Sequence, residues 1–344
     1  MKSVRHSPLL FLPCVTFALG FALTTLPADA ASGKSSSKKK SVPSMAALAN
    51  DSHAMPVLSS AATKGGSVLR LQILLDRLHY STGEIDGRYG SVTRAAVTAF
   101  QQANALEGGG SVTAATWQML NRDPAPAVVS YTITAEDVAG PFLPIPTESA
   151  DKAKLPALGY ASAAEGLGEK FHVSPALLSM LNPAIPLDRA GSVISVPSVT
   201  RAPLEKAPGI NIRVSKRSRT VEALDATGKV LARYPATIGS EHDPLPIGKW
   251  KINGVAWNPS FNYNPDLFWD AEPSEKKAKL PAGPNNPVGV VWIDLSKPHY
   301  GIHGTPEPST IGKTTSHGCI RLTNWDAMEL AHLVSPGVPA LLEE

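Results

Sequence analysis

Cysteine is nearly absent from this 344-residue chain, with Cys14 and Cys319 the only two. Cys14 lies in the first thirty residues. If that segment is removed, one thiol remains and no internal disulfide can form. A basic surplus is also missing where a nucleic-acid binder needs one. The net charge is +3, but Lys2, Arg5 and five lysines within residues 31–66 supply more than all of it. Setting these aside with Asp29 and Asp51 leaves 25 basic against 27 acidic groups in residues 67–344. DNA and RNA are thereby excluded as partners, because phosphate binding needs a cationic face. No CxxC or HExxH spacing occurs, which argues against a metal centre. Beyond the N-terminus, no apolar run approaches the ~20 residues of a membrane span.

What the chain does contain is globular: 43% hydrophobic and 18% charged residues. Its length suggests two or three domains. Proline is abundant, 31 of 344, which favours strands, loops and stiff linkers over long helices. Residues 1–30 read as an export signal. Lys2, Arg5 and His6 precede the apolar run Leu9 to Leu26, and Ala28-Asp29-Ala30 offers small residues at a cleavage site. The run is also near spanning length, but Pro13, Pro27 and the Ala-x-Ala exit favour cleavage, leaving no stable membrane span. Residues 31–66, rich in Ser, Lys, Ala and Gly, read as a flexible linker.

Residues 67–122 read as three helices. Leu71, Leu74, Leu75 and Leu78 fall at helical spacing, and the turn Gly83 to Gly90 follows. Ser91 or Thr93 caps a second helix through Ala96, Val97 and Phe100, and Thr113 opens a third with Trp117 and Leu120. Leu71-Gln72, Asp86-Gly87-x-Tyr89-Gly90, Thr93, Phe100-Gln101 and Thr116-Trp117 resemble the three-helix peptidoglycan-binding domain. Residues 123–208 are Pro-rich. Within about 158–199, Leu167 to Ser174, Leu177-Leu178, Leu181-Asn182-Pro183 and Val193 to Pro197 resemble a LysM-like module. Physically this is two short helices between two strands, a small α/β unit. Glycan binding follows from that resemblance, with a structural spacer as the alternative.

Residues 209–344 read as mainly β, a sandwich or barrel. Ile210 to Val214 alternates, and Thr220 to Leu224 pairs with Val230 to Tyr234 across Asp225 to Gly228. Further strands are expected at Gly248 to Asn253, Val288 to Asp294, Tyr300 to His303 and Ile320 to Leu322. A helix is expected at Asn324 to Leu333 behind a Thr323 cap. The chemistry concentrates in His303-Gly304-Thr305 and Ser316-His317-Gly318-Cys319-Ile320-Arg321. A thiol nucleophile needs a base, a group that orients the base, and N–H donors for the oxyanion. Cys319 is the lone mature thiol, and His303 and His317 are both candidate bases. Gly318 leaves room for approach, and Thr305 and Ser316 add hydroxyls near substrate. In an extended strand His317, Cys319 and Arg321 share a face, so Arg321 can bind a substrate carboxylate. Zinc is an alternative use of one cysteine and two histidines, without the usual spacing.

Together with Ile238-Gly239-Ser240, Pro246-Ile247-Gly248 and Asn286 to Gly289, this pattern resembles the L,D-transpeptidase catalytic domain (YkuD-type) over residues 209–343. The resemblance implies Cys319 as nucleophile and His303 as proton donor and acceptor. It also implies that the Gly304 carbonyl orients His303, and that His317 and the Gly318 and Cys319 amides lie around the oxyanion. The implied partners are peptidoglycan stem peptides and glycan, amine acceptors such as a lipoprotein lysine, and carbapenem inhibitors. No metal or organic cofactor is implied. The implied location is the periplasm or cell wall, and the implied reaction is 3→3 cross-linking through a cysteinyl thioester with release of D-Ala. An L,D-carboxypeptidase, with water as acceptor, uses the same residues. A non-catalytic wall-binding protein explains the front modules but not the His/Cys pair. A papain-like peptidase places cysteine before histidine in the chain, the reverse of the order here. The Pro-rich break near residues 199–208 suggests that the front modules recruit, and that a fragment from about Ala207 folds and works alone.

Overall fold

In the computed structural model, which describes residues 43–344, the C-terminal part is one curled eight-stranded sheet. From edge to edge its strands are Ile320–Arg321, Gly301–His303, Val291–Leu295, Gly248–Trp257, Pro339–Glu343, Asn211–Ser215, Thr220–Leu224 and Val230–Pro235. Thr237, just beyond the last strand, bridges back to Arg321 on the first, with N–H···O bonds of 3.0 and 2.9 Å in both directions. The expected sandwich or barrel is thus a single sheet curled until its edges meet. Period-two alternation drives it: Ile212, Val214, Val221, Ala223 and Tyr234 point into one core and are almost fully buried. The helix Asn324–Leu333 packs Ala327, Leu330 and Leu333 into that core, and Thr323 caps it by accepting the Asp326 N–H at 3.2 Å.

The front part departs from the expected string of separate modules. Helices Gly66–Arg77, Ser91–Ala103 and Ala114–Leu120 form as expected, but the second is capped by Gly90, without a side-chain cap. The Thr93 hydroxyl accepts from Gln72 instead, at 3.2 Å. The two short helices Ala163–Lys170 and Pro175–Leu181 lie between paired strands, but the first strand is Val128–Thr132. It precedes the expected 158–199 window and pairs antiparallel with Val193–Pro197 across the intervening chain. Leu69, Ile73 and Ile85 of the three-helix part share one core with Val128, Leu167, Leu178, Ile194 and Val196. The two front units are therefore fused.

The expected leader, residues 1–30, and the start of the linker lie outside the described residues. From Pro43 onward the linker expectation fails. Helix Met45–Asn50 is capped by Ser44, Ala49 is buried in the shared core, and Leu58 bridges Val112. Local composition had suggested solvation, but the apolar residues between the polar ones find partners far away in sequence.

A buried ion cluster joins front to back. Arg201, from the Pro-rich connector, donates to Asp76 (2.6 Å), Asp326 (2.9 Å) and Glu329 (2.6 Å). His172 reaches Asp76 at 3.0 Å and His79 reaches Glu329 at 2.9 Å. Ser81 and Tyr234 donate to Asp326 and Glu329. Burial works against the charge on Asp76, but Arg201 and His172 hold its carboxyl well below the usual range. Burial also opposes the charge on Arg201, yet its three carboxylates raise it well above the ordinary value. The connector is thus a clamp between two halves, and a fragment from Ala207 would leave Asp326 and Glu329 without their cation.

Arg201→Met keeps the stem's bulk but strands two buried carboxylates. We expect it to cost ~3–5 kcal/mol in urea unfolding, as for a broken buried ion pair. A loss below ~1 kcal/mol would show that the cluster adds little to holding the halves together.

Candidate active site

The site forms where the strands Val291–Leu295, Gly301–His303 and Ile320–Arg321 lie side by side. The register pairs Trp292 with His303, Asp294 with Gly301, and His303 with Arg321. Paired residues share a face, so Trp292, His303 and Arg321 line one surface. Cys319 sits just ahead of the edge strand, where the Gly301 backbone N–H hydrogen-bonds its sulfur. Arg321 lies opposite His303 in this parallel pair, and Cys319 is two residues before Arg321.

His303 is 3% exposed and its Nδ1–H donates to the Gly304 carbonyl at 2.7 Å. That bond fixes the tautomer: with Nδ1 carrying the proton, neutral His303 presents a bare Nε2. Burial, with Arg321 nearby, pushes His303 down to about 3, so it is neutral at pH 7. Burial pushes the Cys319 thiol up, while the Gly301 N–H and Arg321 pull it back. The resting pair is therefore thiol and imidazole, not the preformed thiolate that a simple Cys–His reading suggests. Proton transfer to Nε2 must accompany attack.

Two glycines are needed for their lack of a side chain. A Cβ on Gly304 would collide with Asn324 Oδ1, and one on Gly318 (φ +96°) would lie 2.9 Å from Tyr300 Cε1. The N–H groups of Gly318 and Cys319 donate to no protein acceptor among the described residues and are free for an oxyanion. Arg321 has a buried Nε with no hydrogen-bond partner among the described residues.

Other expected site residues turn away. Thr305 is buried and its hydroxyl accepts the Glu307 N–H at 3.2 Å. Ser316 is also buried, and its hydroxyl donates to the Cys319 carbonyl at 2.6 Å. Both bonds hold the loops in shape, and that of Ser316 uses its only hydroxyl proton. His317 Nε2 bonds Asp270 at 2.8 Å, and its ring meets Phe268 at 5.1 Å. It belongs to a flap that includes the hairpin Phe261–Tyr263 and Ala278–Leu280, where Trp269 stacks on His242. Among the described residues no group of three or more His, Cys, Asp or Glu is disposed to hold a metal.

The sequence reading missed Trp292, Asn324 and Asp270. The Trp292 ring stacks on His303 (centroids 5.4 Å apart, 18° between planes) and limits its rotation. Asn324 donates to Glu169 Oε1 at 3.1 Å and wedges against Gly304, linking a front helix to the residue that orients His303. Only the aromatic in the Val288 to Asp294 strand carried any local signal. The other two become visible through contacts between distant segments.

Comparison with known proteins places this geometry among relatives. The family model for the L,D-transpeptidase catalytic domain (YkuD) matches residues 210–341, and that for a putative peptidoglycan binding domain matches residues 64–120. The chain is 32% identical over 168 residues to the putative L,D-transpeptidase YkuD of Bacillus subtilis, covering 48% of this chain and 85% of that one. It is 28% identical over 225 residues to the probable L,D-transpeptidase YbiS of Escherichia coli K12, covering 61% and 70%. A crystal structure of an L,D-transpeptidase from Xylanimonas cellulosilytica aligns at 17% identity and a TM-score of 0.34, over 83% of this chain and 98% of that one.

Two measurements test the electrostatics. Iodoacetamide alkylation of Cys319 should rise with pH around a midpoint above the ordinary ~8.5, and Arg321→Gln should move it higher still. A midpoint below ~7 would mean a preformed thiolate. Burial pushes Glu169 up to about 8 against the pull of Asn324. A raised carboxyl favours folding below its unfolded pKa, and that benefit fades as pH rises through the folded value. Glu169→Gln should therefore match the native Tm near pH 4 and exceed it increasingly up to pH 8. Parallel Tm curves would contradict this.

Proposed function

Because the chain belongs to the L,D-transpeptidase family of cysteine-dependent acyltransferases, we propose that it cross-links peptidoglycan stems through a Cys319 thioester. The observation that carries this reading is the Nδ1–H···O bond from His303 to Gly304, which leaves Nε2 bare on a residue paired with Arg321, two positions beyond Cys319. Cys319 Sγ attacks the carbonyl of the third, diamino residue of a tetrapeptide stem as its proton passes to His303 Nε2. The oxyanion is held by the Gly318 and Cys319 N–H groups. His303 returns the proton to the departing D-Ala amine, which leaves the stem as a thioester. The side-chain amine of a second stem then attacks and gives its proton to His303, which passes it to the departing Cys319 sulfur, completing a 3→3 cross-link and restoring the thiol and neutral imidazole.

The other residues take supporting parts. Arg321 Nε, without a protein acceptor, suits a stem carboxylate. His317, tied to Asp270, shapes the entrance and is not the base. The peptidoglycan-binding domain over residues 64–120 raises the local concentration of polymer. The unit built from Val128–Thr132, the two short helices and Val193–Pro197 retains a LysM-like order of strand, helix, helix, strand, which supports a glycan contact there. Export through residues 1–30 and action at the cell wall belong to the same reading, since the polymer lies outside the cytoplasm.

Muropeptide assays with product masses test the reaction. We expect dimers and free D-Ala from the native chain and none from Cys319→Ala. His303→Ala should lose ~10²–10⁴-fold in turnover, the usual cost of a lost general base, and His317→Ala clearly less. Release of D-Ala with tripeptide alone would identify a carboxypeptidase. Imipenem, an activated acyl donor, should add once per chain by intact mass and not at all to Cys319→Ala. An adduct surviving in that variant would place the nucleophile elsewhere.

A further inference from the structure

A second cavity, of about 380 Å³, opens where the helix Ser91–Ala103 meets the edge of the curled sheet. Arg217, Arg219 and Arg233 line it, and no carboxylate does. Arg217 and Arg219 are exposed and make no ion pair among the described residues. Arg233 differs, being only 4% exposed. Its neighbours Ala232 and Tyr234 face the catalytic core, so its side chain stands on the opposite face, with the lining residues Thr220 and Pro235. Its Nη1 has no hydrogen-bond partner. Its carboxylate neighbour Glu222 keeps Oε1 3.8 Å from Nε, beyond hydrogen-bond length, and its other oxygen, Oε2, accepts from Arg213 Nε at 2.9 Å. Burying an unsatisfied guanidinium donor is costly, so an acceptor is missing from this place.

The helix adds to the same demand. Gly90 offers no side-chain cap, and the N–H groups of Ser91 and Val92 donate to no protein acceptor among the described residues. Free amides and the positive end of the helix dipole meet the arginines across one cavity, an arrangement that favours an anion. Gly312 forms another wall, and its carbonyl accepts from Arg219 at 3.5 Å. It lies in the loop that runs on to Ser316 and Cys319.

We propose that this cavity is an oxyanion site that takes a carboxylate or phosphate group of the cell-wall polymer. That the anion comes from the wall rests on the function proposed above. Arg233 Nη1, the Ser91 and Val92 amides and the two exposed arginines converge on it. The bound group holds a second stretch of polymer against both the peptidoglycan-binding domain and the loop that carries the nucleophile.

Calorimetry on the full chain carrying Cys319→Ala tests this, with inorganic phosphate and a tetrapeptide stem titrated separately and in competition at low salt. Phosphate should bind once per chain, and Arg217→Gln with Arg219→Gln should weaken it at least ~10-fold, about 1.4 kcal/mol. Ser91→Asp supplies a carboxylate at the start of the helix, so it should abolish binding and raise Tm. Displacement of phosphate by the stem assigns the group to stem carboxylates. Phosphate binding that the stem cannot displace supports the oxyanion site with a phosphate-bearing polymer as its source. No binding, or binding unchanged in both variants, overturns the proposal. Imipenem acylation of the chain with native Cys319 and Ser91 separates the two readings: normal acylation of a chain that binds no phosphate refutes this inference alone.

Discussion

One guanidinium organises the molecule. Arg201 is the buried cation between Asp76 on a front helix and Asp326 and Glu329 on the helix Asn324–Leu333. Three carboxylates alone in that interior would repel and lose their hydration, so the helices can approach only with the cation between them. Tyr234, Ser81, His79 and His172 satisfy most of the remaining oxygens. The cluster gives direction as well as attraction, because its geometry is met in one arrangement of the three chain segments.

That arrangement extends to the catalytic face. The helix whose first turn carries Asp326 starts with Asn324, whose amide wedges against Gly304. The Gly304 carbonyl in turn holds His303 Nδ1–H. The base is therefore oriented by main chain, and that main chain is held by a helix pinned to the front half. A backbone acceptor leaves the imidazole neutral where a carboxylate would favour its cation, in keeping with a resting thiol and imidazole. The site gains reactivity only when a carbonyl arrives to accept the sulfur, which protects a lone thiol from needless oxidation.

The two ends of the catalytic loop face different tasks. At Cys319 and Gly318 the backbone N–H groups have no protein acceptor among the described residues, whereas at Gly312 the loop leans on Arg219 and the helix that starts at Ser91. Ser316, between them, spends its hydroxyl on the Cys319 carbonyl. The loop is thus braced from behind by the front three-helix domain.

Short-range chemistry was readable from residue order alone. The alternation around Val214 and Val221, the Asp225 to Gly228 turn, the Thr323 cap and the His303 to Cys319 motif each depend on neighbours within a few residues. The sequence by itself therefore determined most of the strands and helices and the motif that holds Cys319, with His303 and His317 both open as its base. It did not determine that Arg201 is a clamp, that Val128–Thr132 is the missing strand or that residues 43–66 are packed. Nor did it determine that Thr305 and Ser316 turn inward, or that Arg233 is left without an acceptor. Each of these is a relation between surfaces tens to hundreds of residues apart. Spacing along the chain says what a residue can bond, but burial decides what it must bond, and burial exists only once the segments have met.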